Sequence, residues 1–192
     1  MNARALGADT GAVDHAGGEH GPVTELVHGL ARQARRAARL LAAADAEQKN
    51  RALRAIAAAL RRHEERILAA NDADLEAARQ AGLPAAVVNR LGLRGRRFEV
   101  MVQGVEAVAA LPDPVGQILE RWQHPQGMEI CKVSVPLGVI GLIYEARPNV
   151  TVDAAVLCLK AGNAVLLKGG KESDRCNAVL AQALREGLRE AG

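Results

Sequence analysis

With 192 residues, 49% of them hydrophobic, the chain is long enough to bury one sizeable core and too apolar to be disordered throughout. Its 25 basic and 22 acidic residues make a mixed surface of net charge +3, and Phe98, Trp122 and Tyr144 are its only aromatics, so nucleic-acid binding is not expected. No apolar run approaches the roughly 18–20 residues that cross a bilayer. Cys131, Cys158 and Cys176 form no C-x-x-C pair and no secretion signal is evident, which predicts a cytoplasmic protein without membrane contact.

Residues 1–21 carry no apolar period and predict a flexible tail, in which His15 and His20 lack the further ligands a metal needs. From Thr24, residues Leu26, Val27, Leu30, Ala34, Ala38 and Leu41 recur at helical spacing. Asp45 with Gln48 three residues later is a capping box that opens a second helix. Its apolar stripe runs through Leu53, Ile56, Leu60, Ile67 and Leu68; Asn71 is expected to close or re-cap it before helix resumes to Gly82. Pro84 suits the start of a short helix ending near Leu91-Gly92, and Phe98 to Leu111 reads as another. The clusters Arg35-Arg36-Arg39 and Arg94-Arg96-Arg97 read as solvated faces.

Pro112-Asp113-Pro114 ends this helical segment, residues 22–111, and opens a linker, residues 112–135. Glu129 to Val135 alternates in polarity and predicts a half-exposed edge or oligomerisation strand. Leu137 to Ile143 is nearly continuous in apolar residues, as in a strand buried on both faces. A helix over Thr151–Ala161, stopped by Gly162-Asn163, a second buried strand over Ala164–Leu167 and a last helix capped by Ser173 complete the order. The fold class is therefore α/β: a helical layer, then an incomplete Rossmann-like β-α-β-α unit over residues 136–192 with parallel strands.

Two turns at the carboxyl ends of the predicted parallel strands can carry chemistry. In Glu145-Ala-Arg-Pro-Asn149, Arg147 suits an anion beside a helix N-terminus, and Asn149 is a candidate oxyanion donor. Equally, Arg147 could pair with Glu145 and Asn149 could cap the helix. In Lys168-Gly169-Gly170-Lys171, two cations flank a turn that lets backbone approach a phosphate, or simply a surface turn. Cys158 falls on an apolar helix face. Cys176 lies in a first helical turn, where the dipole lowers a thiol pKa but no base is near in sequence; none of the cysteines reads as a nucleophile.

Val135-Pro-Leu-Gly-Val-Ile-Gly-Leu-Ile-Tyr-Glu-Ala-Arg-Pro-Asn-Val-Thr-Val-Asp153, with Leu157-Cys-Leu-Lys-Ala-Gly-Asn-Ala-Val-Leu-Leu-Lys-Gly-Gly-Lys-Glu-Ser173, strongly resembles the γ-glutamyl phosphate reductases, part of the aldehyde dehydrogenase superfamily. The likeness extends upstream through Lys49-Asn50-Arg51, Ile67–Asn71, Arg90-Leu91 and Asp113–Gly116, about residues 24–192 in all. It implies NADPH-dependent reduction of L-glutamate 5-phosphate to the 5-semialdehyde in proline biosynthesis, by a homo-oligomer when full length. A cysteine attacks the acyl phosphate in that family, and hydride reduces the resulting thioester. The family's nucleophilic cysteine lies downstream of the part this chain resembles, so the 192 residues are expected to be inactive alone, and about half of a doubly wound sheet, with strand edges unpaired and apolar surface bare, is expected to be poorly soluble. The alternative is a non-catalytic nucleotide-binding or enzyme-docking module. By resemblance, Lys168, Gly169, Gly170 and Lys171 bind the cofactor, with Lys171 in the place of an acid in many NAD-using relatives and so favouring NADP. Glu145 and Arg147 bind substrate. Superfamily members usually carry the oxyanion asparagine before the proline of this turn, whereas Asn149 follows Pro148.

Overall fold

The computed structural model describes residues 21–192, so the predicted tail with His15 and His20 lies outside the described residues but for Gly21. Five helices come first: α1 Pro22–Ala43, α2 Ala46–Arg62, α3 Glu64–Gln80, α4 Ala85–Leu91 and α5 Arg96–Ala110. An antiparallel ribbon of β1 Ile118–Gln123 and β2 Glu129–Val133 follows. Then come β3 Val139–Ile143, α6 Pro148–Lys160, β4 Ala164–Lys168, a 3₁₀ turn over Lys171–Ser173, and α7 Asp174–Ala191. β3 and β4 pair in parallel from Val139↔Ala164 to Ile143↔Lys168, with α6 as the crossover.

Local signals explain most of these boundaries. The capping box at α2 is complete, with Gln48 N–H donating to Asp45 Oδ1 at 2.7 Å and Asp45 N–H to Gln48 Oε1 at 2.9 Å. Helix α6 ends in a Schellman motif: Asn163 N–H reaches Cys158 O, Gly162 N–H reaches Leu159 O, and Gly162 takes φ +72°. A side chain at Gly162 would also meet the Pro136 ring. Pro148 is the first residue of α6, where its missing N–H costs nothing. The helix thus starts three residues before the predicted Thr151, and Asn149 lies inside its first turn instead of capping it.

Other expectations are corrected. The long second helix breaks at His63, not Asn71, so Ile67 belongs to α3. Asn71 sits wholly buried within α3, because its partners are backbone groups twenty residues further on. Ser173 occupies the cap position of α7 without making the capping bond. That bond comes from α3, where Asp74 Oδ2 accepts the Cys176 N–H at 2.9 Å. β3 is not buried on both faces: Ile143 is 85% exposed, since β4 is its one neighbour among the described residues. β1 was not foreseen because Ile-Leu-Glu-Arg-Trp-Gln neither alternates nor buries any residue. The apolar stripe of α1 forms as predicted, yet Val23, Leu26, Val27 and Leu30 stand exposed and only Ala38 is buried.

The core joins the helical segment to the β-α-β-α unit. Leu53, Ile56 and Leu60 of α2, Phe98, Val102 and Val105 of α5, Val152 and Val156 of α6, and Leu180 and Ala183 of α7 form one apolar cluster. α7 approaches α2 at Gly187, where a Cβ would lie 2.6 Å from the Ile56 backbone. A polar seam runs beside the carboxyl end of α6. Buried Lys49 donates to Asp113 Oδ1 at 2.7 Å, and Asp113 also accepts the Val115 N–H. Lys160 donates to Asn50 Oδ1 at 2.6 Å and to Ala109 O at 3.1 Å. These bonds fasten the Pro112–Pro114 corner and the end of α6 to α2.

Gly187→Ala is expected to lower stability by about 1–3 kcal/mol, despite a helix-propensity gain of about 1 kcal/mol, because the obstacle is backbone; urea denaturation measures it. Burial opposes ionisation of Asp113, but the Lys49 hydrogen bond, the Val115 N–H and the charges of Lys49 and Lys160 hold its carboxyl below the usual range. Its stabilisation is therefore present above the unfolded pKa and lost as pH falls through the folded one. Lys49→Met should cost about 3–5 kcal/mol at pH 7 by stranding that carboxylate. The deficit should shrink as pH falls below about 4, and a deficit constant with pH would contradict the pairing.

Candidate functional site

The turn Glu145–Asn149 leaves the carboxyl end of β3 and enters α6, as predicted, and a cavity opens on each side of it. The larger, about 830 Å³, receives Arg90 from α4, Arg96 and Arg97 from the first turn of α5, and Arg147, Asn149 and Asp153 from the turn and α6. Val100 and Met101 contribute apolar wall. The smaller, about 430 Å³, lies against Ile143, Tyr144, Glu145, Lys168, Gly169 and Gly170. Arg90 borders both.

The arginines differ in what already holds them. Arg97 is spent on structure, donating to the Asn89 and Gly92 carbonyls and to Asn89 Oδ1. Arg94, outside the cavity, pairs with Asp72. Arg90 lies 3.9 Å from Glu145 Oε2, so the acid of the turn pairs with α4 and not with Arg147. Arg96 and Arg147 have no ion pair or side-chain hydrogen bond among the described residues. The cluster 94–97 is exposed, as expected of a solvated face, but two of its members also wall a cavity. Several guanidinium groups with one aspartate make this space suited to a multiply anionic molecule.

Asn149 spends one amide hydrogen on Asp153 Oδ2 at 2.9 Å, one helical turn on, and keeps a second to donate. Burial raises the Asp153 pKa against that hydrogen bond. On the other side, Lys168 ends β4 and donates to the Gly169 carbonyl at 2.6 Å. Gly169 passes so close to Tyr144 and Asn177 that any side chain would collide, and Gly170 abuts the Ala146 N–H. Lys171 begins the 3₁₀ turn and is exposed.

Behind both turns runs a polar chain that the sequence did not disclose. Tyr144 Oη and Thr151 Oγ1 are 2.6 Å apart; Thr151 Oγ1 donates to Asn177 Oδ1 at 2.8 Å; Asn177 Nδ2 donates to Ser173 Oγ at 2.9 Å; and Ser173 Oγ donates to Gly170 O at 3.2 Å. The chain ties the β3 exit, α6, α7 and the glycine turn together. Only the proximity of polar residues to two strand ends hinted at it.

None of the three cysteines lines either cavity. Cys176 is fully buried, and burial with the nearby Asp74 carboxylate pushes its thiol up to about 12, against the lowering expected from the helix N-terminus alone. Burial raises the Cys158 thiol as well. Among the described residues no helix is long and apolar enough to cross a membrane, and no His, Cys, Asp and Glu cluster could hold a metal.

No family model matches the chain. It is 55% identical over 166 residues to a gamma-glutamyl phosphate reductase of Symbiobacterium thermophilum, covering 86% of this chain and 39% of the relative. A second of that name, from Rhodopseudomonas palustris, is 53% identical over 167 residues, 87% of this chain and 39% of its own length. The crystal structure of gamma-glutamyl phosphate reductase from Thermotoga maritima superposes with a TM-score of 0.82 at 40% identity, over 85% of this chain and 40% of that one. A probable aldehyde dehydrogenase from Listeria monocytogenes shares the fold at 17% identity and a TM-score of 0.63, over 88% of this chain and 34% of the other. The chain thus spans about two-fifths of the length of the curated relatives it matches, their N-terminal part, and has the corresponding part of the aldehyde dehydrogenase fold.

Asn71→Ala should loosen the larger cavity's α4–α5 wall, because Asn71 Nδ2 donates to Leu91 O and its Oδ1 accepts the Leu93 N–H, both at 2.8 Å. Leaving both backbone groups unpaired should cost about 1–3 kcal/mol each. Hydrogen exchange should accelerate first at Leu93; uniform acceleration would mean that Asn71 does not clamp this loop in particular.

Proposed function

We propose that this chain, the counterpart of the N-terminal two-fifths of gamma-glutamyl phosphate reductase, supplies substrate-positioning and cofactor-binding groups for NADPH-dependent reduction of L-glutamate 5-phosphate to L-glutamate 5-semialdehyde. The observation that carries this reading is the Glu145–Asn149 turn between two cavities, one lined with arginines and the other at the ends of parallel strands. It stands in a chain 55% identical, over 166 of its residues, to a reductase of that name.

In this reading Arg147, exposed and unpaired, and Arg96 opposite it attract the acyl phosphate and bear the charge that gathers on its oxygens as phosphate leaves. Glu145 orients Arg90 at the boundary of the two cavities, so its part in substrate binding is indirect. Asn149 is the proposed oxyanion donor through its second amide hydrogen, with Asp153 fixing the plane of the amide. Arg147 is the other donor within reach of the same space.

The residues at the smaller cavity fit the adenosine end of a nicotinamide dinucleotide. A lysine ends a parallel strand, and the next backbone is kept bare of side chains by two glycines. Lys168 would hold the ribose, Gly169 and Gly170 would admit it closely, and Lys171, exposed just outside the cavity whose rim Glu172 lines, would reach a 2′-phosphate. The nicotinamide, when bound, supplies hydride. The homo-oligomer contact is proposed for the β1–β2 ribbon, where Ile118, Leu119, Trp122 and Val133 stand exposed.

The protein expressed from its native gene should reduce NADP⁺ with L-glutamate 5-semialdehyde only when inorganic phosphate is present, and Arg147→Ala should lower kcat/KM roughly 100-fold. Activity independent of phosphate, or none, would overturn the assignment. The same protein should bind NADP⁺ roughly tenfold more tightly than NAD⁺, and Lys171→Ala should remove that preference in calorimetric titration.

A further inference from the structure

The larger cavity is not uniformly basic. Among the described residues Asp153 is the one acid on its wall, facing the same space as Arg90, Arg96, Arg97 and Arg147. It makes no ion pair with any of them or with any other described residue. Its Oδ2 accepts the Asn149 amide at 2.9 Å, and Oδ1 makes no hydrogen bond among the described residues. Asn149 precedes Asp153 by one helical turn, so the carboxylate is held on the cavity side of α6. The group is partly withdrawn from water, which raises its pKa. A desolvated carboxylate without a cationic partner is unfavourable, and the surrounding arginines lean on other groups or on none. An anion alone would be repelled by it. A molecule carrying both signs of charge would use the whole wall.

We propose that Asp153, braced by Asn149, is a specificity-determining residue that receives the α-ammonium group of an amino-acid substrate while the arginines take its anionic groups. This rests on the reductase reading, in which the substrate is an amino acid with one ammonium, one carboxylate and one acyl phosphate. Arg147 and Arg96 then serve the phosphate, Arg90 at the cavity boundary serves the α-carboxylate, and Asp153 selects for the amine. A dicarboxylate of the same length without the amine would leave Asp153 desolvated and unpaired, and would be rejected on that account.

The test is calorimetric titration of the protein expressed from its native gene with three probes: L-glutamate, glutarate, which lacks the ammonium, and inorganic phosphate. The unmodified chain should bind L-glutamate at least roughly tenfold more tightly than glutarate. Asp153→Asn should bring the two together by weakening L-glutamate alone, leaving phosphate unchanged, and Asp153→Glu should restore part of the difference. Equal affinity for the two acids in the unmodified chain overturns the proposal and needs no variant. So does an Asp153→Asn chain that melts like the original and loses both acids equally. If phosphate and glutarate bind without discrimination against the missing amine, the role of Asp153 falls and the arginine site stands. If no probe binds, the arginine site and the reductase reading of this cavity fall with it.

Discussion

The clamp that Asn71 closes on the loop between α4 and α5 is the constraint on which the rest depends. A buried amide satisfies one carbonyl and one N–H across twenty residues of sequence, in a place where water could not replace it. Fixing Leu91 and Leu93 fixes Arg90 before them and the start of α5 after them, and so one wall of the larger cavity. One helical turn further along, Asp74 caps α7 through the Cys176 N–H and lies 3.3 Å from Arg175. Helix α3 therefore positions two distant elements with two side chains, and both are buried polar groups whose loss would leave partners stranded.

The apolar packing complements this. α2 and α7 meet with no side chain at Gly187, so their backbones are in near contact and the Ile56 side chain is enclosed. α5, α6 and α7 share the same cluster, which makes the helical segment and the parallel strands one packed body. The site inherits its rigidity from this body: the two strand ends are tied by the Tyr144–Thr151–Asn177–Ser173 chain, so neither turn moves without the other.

Charge is distributed with a purpose that composition hides. A net charge of +3 spread over 47 charged residues looks neutral in effect, yet α4, α5 and the turn before α6 bring arginines to one cavity while the acids nearby pair elsewhere or, like Asp153, face the cavity without an ion pair among the described residues.

The sequence by itself determined most of the element order, though neither β1 nor the helix break at His63, together with the capping box at Asp45, the Gly162 stop, and the two turns at the strand ends that border the cavities. These signals are local: a side chain meets its own backbone within a few residues, or a glycine tolerates a φ that others avoid. Only the tertiary structure decided that Asn71 clamps a distant loop instead of ending a helix, and that Asp74 displaces Ser173 as the cap of α7. It also decided that burial overrides the helix dipole at Cys176, and that Arg90 and Arg96 join Arg147 across some fifty residues of chain. Such outcomes turn on which buried groups meet once the core has closed, and no spacing along a chain records that.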